Sequence, residues 1–317
     1  MDQRKLRLGI STCLLGEKVR YDGGHKQDKW ITNTLGQFTT FIPICPEYEC
    51  GMSIPRPPMH LEGTGENPRL VQTLSCLDLT KQMNDWIKPR IKKLKTKDLD
   101  GYIFKTKSPS CGLENIKIFS PNKKKTSSIG VGLFAKAFVK AFPLVPVADE
   151  ERLIDPGYRG NFIERIFVMK RWRKLILQPR GLNHLMIFHT QHKLVIMSHS
   201  VSHFKKMEKL LAHAPKDGAL LYLAYHQTLV EALRLHTTLK KHFKILQLAV
   251  SYCKSDLSPE EKKELLSILD QYKKDLVPLF IPITLINHYA RKYKIKHLLE
   301  QYYLKPHPVE LKLRNHV

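Results

Sequence analysis

Three of the six cysteines in this 317-residue chain share one setting: each follows a short apolar stretch. Cys13 comes after Leu6 to Ser11, Cys45 after Phe41-Ile42-Pro43-Ile44, and Cys111 after Gly101-Tyr102-Ile103-Phe104 and the turn Ser108-Pro109-Ser110. If each stretch is a strand of an open parallel sheet, the loops beyond their carboxyl ends gather in one place. Three thiolates without an obvious fourth ligand suit either zinc with an open position or an iron–sulfur cluster with one free iron. Spacing does not choose between them, since soft thiolates serve both. No CxxC occurs, which removes the common zinc-ribbon patterns and requires a site assembled from distant segments. The competing reading is three buried cysteines acting as small core hydrophobes.

Polar residues fall in the same loops. Asp22 follows Arg20-Tyr21 and precedes Gly23-Gly24, Glu47 lies two residues past Cys45, and Ser108 lies three before Cys111. A carboxylate and a hydroxyl beside a metal centre can move a proton and orient a substrate. Each also has a purely structural reading: Asp22 in a turn, Glu47 in a surface ion pair, Ser108 capping a helix.

The elements that must position these groups change character near residue 150. Before it, apolar strand candidates alternate with helical spacing, as at Asp78 to Lys97 (with Pro89 expected to kink it) and Val131 to Phe142, and Leu144 to Val147 forms a last short strand. That order predicts an α/β domain over 1–150, a parallel sheet with flanking helices. A lysine run at 123–125 followed by Thr126-Ser127-Ser128 reads as an exposed loop. Beyond it, 151–317 reads as an all-α domain, with a basic helix from Arg159 to Leu175 and further helices near 182–198, 203–213, 218–235, 237–254, 260–275 and after Pro278. Ser258-Pro259-Glu260-Glu261 is a helix start, with Ser as N-cap, Pro at the first position and Glu at the third.

Composition narrows the function class. A hydrophobic share of 42% and a charged share of 26% are those of a globular chain, and no apolar run approaches a membrane span. The N-terminus carries no signal-peptide core, so a cytoplasmic protein with reduced thiols is expected. The formal charge is +24; up to residue 150 there are 24 Lys and Arg against 15 Asp and Glu, and beyond it 29 against 14, giving +9 and +15. Such a field makes nucleic acid the leading partner, ahead of an anionic membrane surface. His189 and His192 stand three apart on one predicted helix, but no Glu-x-x-His pair accompanies them, so a core or RNA-facing role is expected rather than a metal site.

Cys13-Leu14-Leu15-Gly16, Arg20-Tyr21-Asp22-Gly23-Gly24, Cys45-Pro46-Glu47, Pro55-Arg56-Pro57 and Ser108-Pro109-Ser110-Cys111-Gly112 together resemble the thiouracil desulfurase family, over about residues 6–148. The helical half resembles the partner domain of that family's fused members through Arg159 to Arg165, Phe188 to Lys193, Pro282 to Leu285 and Leu311 to Asn315. The fused form looks like tRNA 4-thiouridine desulfidases. The resemblance implies a [4Fe–4S] cluster held by Cys13, Cys45 and Cys111, with Glu47 and Ser108 as functional polar residues and Asp22 near the site. It further implies a tRNA carrying 4-thiouridine as substrate, with phosphate contacts from Arg165, Lys170, Arg171, Arg173 and Lys174, and no obligate protein partner. Two alternatives stay open: desulfuration of free thiouracil, and a non-enzymatic RNA-binding or redox-sensing metalloprotein. Cys50 departs from the pattern as a spare thiol near the site, and Cys76 and Cys253 match no motif.

Overall fold

The computed structural model describes residues 5–121, 126–215, 218–311 and 313, so the lysine run at 123–125 lies outside the described residues. The contacts divide the chain into two compact units, Met1–Phe162 and Ile163–Val317.

In the first unit, β1 (Leu6–Ser11), β2 (Thr39–Ile44), β5 (Gly101–Phe104) and β8 (Val147–Asp149) form one sheet in the order β2-β1-β5-β8, all parallel. β5 is buried along its whole length, as a central parallel strand covered on both faces must be. The chain leaves β1 for β2 on one side and returns to β5 on the other. The boundary between β1 and β5 is therefore the switch point at which such sheets open a crevice. Between β2 and β5 come the short helix α1 (Pro46–Glu49), β3 (Met59–Glu62), β4 (Arg69–Gln72) and α2 (Thr80–Lys95). Pro89 sits inside α2, and the helix runs on past it.

A second sheet was not expected. β3 and β4 join β6 (Ile116–Phe119) and β7 (Thr126–Gly130) in the order β4-β3-β6-β7, with β3 parallel to β6 and the outer pairs antiparallel. The segment Thr126-Ser127-Ser128 read as loop is thus strand, paired through Ile118↔Ser128 and its neighbours.

The core between the first sheet and its helices is aromatic. Tyr102 stacks on Phe104 at 4.0 Å, and both meet Phe134 and Phe138 of α3 (Leu133–Ala141). These four rings are fully buried, each stabilising by about 2–3 kcal/mol. The Tyr102 ring lies so close over β1 that a Cβ at Gly9 would stand 2.2 Å from it, which leaves glycine as the residue that fits there.

Helix α4 (Pro156–Ile176) crosses the division between the units. The second unit is helical: α5 (Leu182–His199), α6 (Val201–Ala212), α7 (Gly218–Arg234), α8 (Leu239–Ser251), α9 (Pro259–Lys273), α10 (Phe280–Lys292) and the short α11 (Lys296–Leu299). The expected start of α9 is present as a full capping box, the Ser258 hydroxyl accepting from the Glu261 N–H and the Glu261 carboxylate accepting from the Ser258 N–H. Among the described residues no helix is long and apolar enough to cross a membrane.

The first amides of α3 find their acceptors in the loop before Cys111. Leu133 N–H donates to Pro109 O at 3.1 Å, Phe134 and Ala135 N–H to Ser110 O at 3.0 and 3.2 Å, and Gly132 N–H to Gly112 O at 2.8 Å. A Cβ at Gly132 would stand 2.6–2.9 Å from backbone atoms of Ser110 and Cys111, which cannot rotate away. Gly132→Ala is expected to cost about 1–3 kcal/mol. Calorimetric unfolding checks this, and an unshifted transition would contradict the rigid loop.

Candidate active site: three thiols around one cavity

The three strand ends deliver their cysteines to one cavity of about 280 Å³, lined by Cys13, Cys45 and Cys111 together with Glu47, Arg56 and Ser108. Cys13 sits in a single 3-10 turn, Thr12–Leu15, closed by Gly16 at φ 97°. Cys45 is the N-cap residue of α1; its N–H donates to Glu49 Oε1 at 3.1 Å, and its carbonyl accepts from the Glu49 N–H at 2.8 Å. Arg90 holds the Glu49 carboxylate at 3.0 Å. Cys111 is fixed by Ser108, whose Oγ accepts from the N–H groups of Ser110 and Cys111 at 3.2 and 3.1 Å.

Burial dominates the chemistry of the thiols. It pushes Cys13 up to about 11, with the neighbouring Cys45 adding to the effect and Lys105 and Arg20 opposing it. Cys45 is raised by burial as well. Cys111 is raised well above the ordinary thiol range by burial, then by Cys45 and Glu47, against a hydrogen bond from Ser11. Three protonated thiols in one cavity are a donor set that a cation would ionise on binding.

Among the described residues no three His, Cys, Asp or Glu side chains converge closely enough to hold a single metal ion. Three thiols lining one cavity of about 280 Å³ fit a multi-iron cluster, whose cysteines bind different irons. The all-sulfur donor set fits the same group.

Glu47 and Ser108 are brought together, Ser108 Oγ donating to Glu47 Oε1 at 3.3 Å. The other carboxylate oxygen is clamped by Arg56, from Nε at 3.0 Å and Nη2 at 2.5 Å. Arg56 also donates to Val19 O at 3.0 Å and Ser53 O at 3.3 Å. Sequence reasoning quoted Pro55-Arg56-Pro57 without giving Arg56 a role.

Asp22 is not brought into the cavity. Its carboxylate is half exposed and taken by Arg20 (3.1 and 3.3 Å) and the Gly24 N–H (3.0 Å), which hold it below the usual carboxylate range. It is a turn residue that aims Arg20, and Arg20 and Tyr21 do line the cavity. Cys50 also stays outside the lining: its thiol donates to Glu47 O at 3.3 Å. Cys253 is buried in the helical unit, whereas Cys76 is exposed on the turn after β4.

The five basic residues of α4 are not one solvated stripe. Lys174 is exposed, and Arg165, Lys170 and Arg173 are half-buried with interactions of their own. Arg171 turns inward, donating to Pro306 O and stacking on Tyr302 at 3.9 Å, and burial brings it down to about 10. The physical reason is that α4 buries Phe162, Ile163, Ile166, Phe167, Val168, Met169, Trp172 and Leu175, which leaves little face for solvent. His189, His192 and His199 are core residues. His192 Nδ1 donates to Phe188 O at 2.7 Å, His199 Nδ1 donates to Leu235 O at 2.6 Å, and His189 pairs with Tyr225 Oη at 3.0 Å. Burial lowers His189 to about 4 and holds His192 well below the ordinary imidazole range.

Removing one partner of the Glu47–Arg56 pair leaves a nearly buried charge alone, so Arg56→Met is expected to destabilise by about 3–5 kcal/mol. The double variant Glu47→Gln/Arg56→Met should recover part of that loss. Thermal unfolding of both single variants, the double variant and their parent tests it, and additive losses would show that the pair is not coupled.

The model of the 2-thiouracil desulfurase family matches residues 8–150. A second family model, described as a protein of unknown function (DUF1722), matches residues 193–308. The uncharacterized protein YbgA of Escherichia coli (strain K12) is 26% identical over 155 residues, which is 48% of this chain and 90% of that protein. Among solved structures, the [4Fe-4S]-dependent thiouracil desulfidase TudS is 27% identical, with a TM-score of 0.37 over 47% of this chain and 94% of its own.

Proposed function

We propose, from the match of residues 8–150 to the 2-thiouracil desulfurase family model, that the protein removes sulfur from 4-thiouridine in tRNA, leaving uridine, in the cytoplasm. The observation that carries the reading is the convergence of three thiols and the Glu47–Ser108 pair on one cavity. Exchange of sulfur for oxygen at a thiocarbonyl carbon is substitution by water and needs no net electron transfer. Cys13, Cys45 and Cys111 are the residues that would hold a [4Fe–4S] cluster, which when bound supplies a soft Lewis acid for the departing sulfur.

The chain's own groups do the rest. Glu47 Oε1 is the oxygen free to take a proton from the attacking water, a contribution typically worth about 10²–10⁴-fold. Arg56 holds Oε2, so the carboxylate cannot turn away from the cavity. Ser108 Oγ, donating to Glu47 and accepting from the Ser110 and Cys111 N–H groups, holds that carboxylate oxygen beside the Cys111 loop. Tyr21 lines the cavity while 41% exposed, and gives an extruded base an aromatic face to stack on.

The RNA part of the reading is supported by charge: an excess of +15 lies beyond residue 150. Arg165, Lys170, Arg173 and Lys174 remain candidates for phosphate contacts, and Arg171 is reserved for the core. Four contacts would give a log–log salt slope of about −3 to −4.

Cys13→Ala is expected to lose both the brown colour and the iron of reconstituted protein, while Cys50→Ala keeps both. Equal iron content in the two variants would remove Cys13 from the ligand set. The function itself is tested by anaerobic incubation of reconstituted protein with 4-thiouridine tRNA and, in parallel, with free 4-thiouracil. Nucleosides from the digested tRNA are then quantified. Conversion in tRNA that disappears in Cys111→Ala is expected. Turnover of the free base alone would sink the RNA substrate, and turnover of neither would sink the desulfidase reading in favour of a binding or sensing protein.

A further inference from the structure

Lys105 and Glu150 have been given no role in the reaction, yet they form the second nearly buried ion pair at the cavity, each side chain 13% exposed. Lys105 follows β5 directly, and its backbone N–H donates to Ser11 Oγ at 3.0 Å, which ties it to the end of β1 at the switch point. Its ammonium bonds Glu150 Oε1, and Thr106 Oγ1 and O at 3.1 Å each. Glu150 in turn accepts from the Thr106 N–H at 2.9 Å and from Thr106 Oγ1 at 2.7 Å. At the base of this arrangement, the Glu150 N–H donates to Phe104 O at 3.3 Å.

The pair has a direction. Lys105 and Thr106 line the cavity and Glu150 does not, so the cation stands on the cavity side of the pair; Lys105 and Glu150 act on Cys13 in opposite senses. All three ammonium protons are engaged, so Lys105 offers the cavity a fixed charge rather than a free donor. The other cations in the wall are paired as well, Arg56 with Glu47, Arg20 with Asp22 and the exposed Lys107 with Glu151. Ion pairs taken out of water rarely add net stability, so folding alone gives little reason for one here.

A fixed cation matches the charge this reaction develops. Water adds to the thiocarbonyl carbon, a C–O bond forms, the π pair of C=S moves to sulfur and one water proton passes to Glu47. Glu47 then returns its proton to sulfur, the C–S bond breaks with its electron pair going to sulfur as C=O forms, and the remaining O–H proton joins the departing HS⁻ to give H₂S; both water protons end on sulfur and no oxidant or reductant is consumed. We infer that Lys105 is the fixed counter-charge for the anion developing on the sulfur side of this adduct, and that Glu150 and Thr106 are the positioning residues that hold it there. This rests on the desulfidase reading above. Its energetic basis is that a preorganised charge needs no reorganisation at the moment of reaction.

Two measurements test it. In reconstituted protein of matched iron content, Lys105→Met is expected to lower kcat by about 10²–10³-fold with KM changed less than about threefold. Lys105→Arg, which keeps the charge, should recover at least about tenfold of that loss, and Glu150→Gln, which frees the ammonium, should fall between. A Met variant within threefold of the parent, or an Arg variant as slow as Met, overturns the inference.

The second measurement needs no turnover. In cluster-free protein, the alkylation rates of Cys13, Cys45 and Cys111 by iodoacetate and by neutral iodoacetamide are compared by peptide mass spectrometry. The iodoacetate-to-iodoacetamide ratio cancels differences in thiol ionisation and reports the field in the cavity. It should fall about three- to tenfold in Lys105→Met at these cysteines and stay constant at exposed Cys76. An unchanged ratio at all four overturns the counter-charge. An inactive parent whose ratio still depends on Lys105 supports the counter-charge while removing the desulfidase reading.

Discussion

The backbone hydrogen bonds between the first turn of α3 and the Pro109–Gly112 loop are the constraint on which the site depends. Helix α3 has amides with no intrahelical acceptor, and the loop has carbonyls that no strand pairs. Each satisfies the other, so Cys111 is set by a secondary-structure element rather than by its own side-chain packing. Ser108 closes the same loop from the other side through its hydroxyl. Because α3 packs its phenylalanines on Tyr102 and Phe104, loop, helix and central strand form one rigid body. Cys13 and Cys45 hang from the neighbouring strands of the same sheet, so all three thiols take their reference from β5 and its hydrogen-bonded neighbours.

Electrostatics around the cavity follow one pattern: each nearly buried charge is held by a partner that leaves one face of it turned toward the cavity. Arg56 clamps one oxygen of Glu47 and leaves the other beside Ser108. Glu150 anchors Lys105 from behind. Asp22 does the same for Arg20 at the more exposed rim. The arrangement keeps charged groups ordered in a low-dielectric site without leaving any of these charges alone there, which would be strongly destabilising.

Much of this was legible in the sequence, for identifiable reasons. β5 is a continuous apolar run and β1 is apolar apart from Arg7 and its terminal Ser11, so their limits read directly from Leu6–Ser11 and Gly101–Phe104. The three cysteines stood out because the strand ends did. The second sheet was missed because its strands have four or five residues each and carry charges such as Glu62, Arg69 and Lys117 within them. Their apolar pattern is too short to show a period. Arg56 and Lys105 were missed because a charge gives no sign in sequence of which way it points. The Lys105 and Glu150 partners lie 45 positions apart. Arg171 was misjudged for the same reason: its neighbours Lys170 and Arg173 are equally basic, and the helix alone decides which of them faces the core.

The order of the strands carries a consequence for the chain as a polymer. Cys13 and Cys45 are 32 residues apart and Cys45 and Cys111 a further 66, and each interval is a separate excursion from the sheet. Any group gripped by all three thiols closes two long loops at once, as a pair of cross-links would. Long loops lose the most freedom when closed, although each doubling of length adds only about 0.6 kcal/mol. Filling the cavity therefore restricts the unfolded chain as much as it decorates the folded one, and the carboxyl edge of the sheet becomes the last part of the domain to come apart.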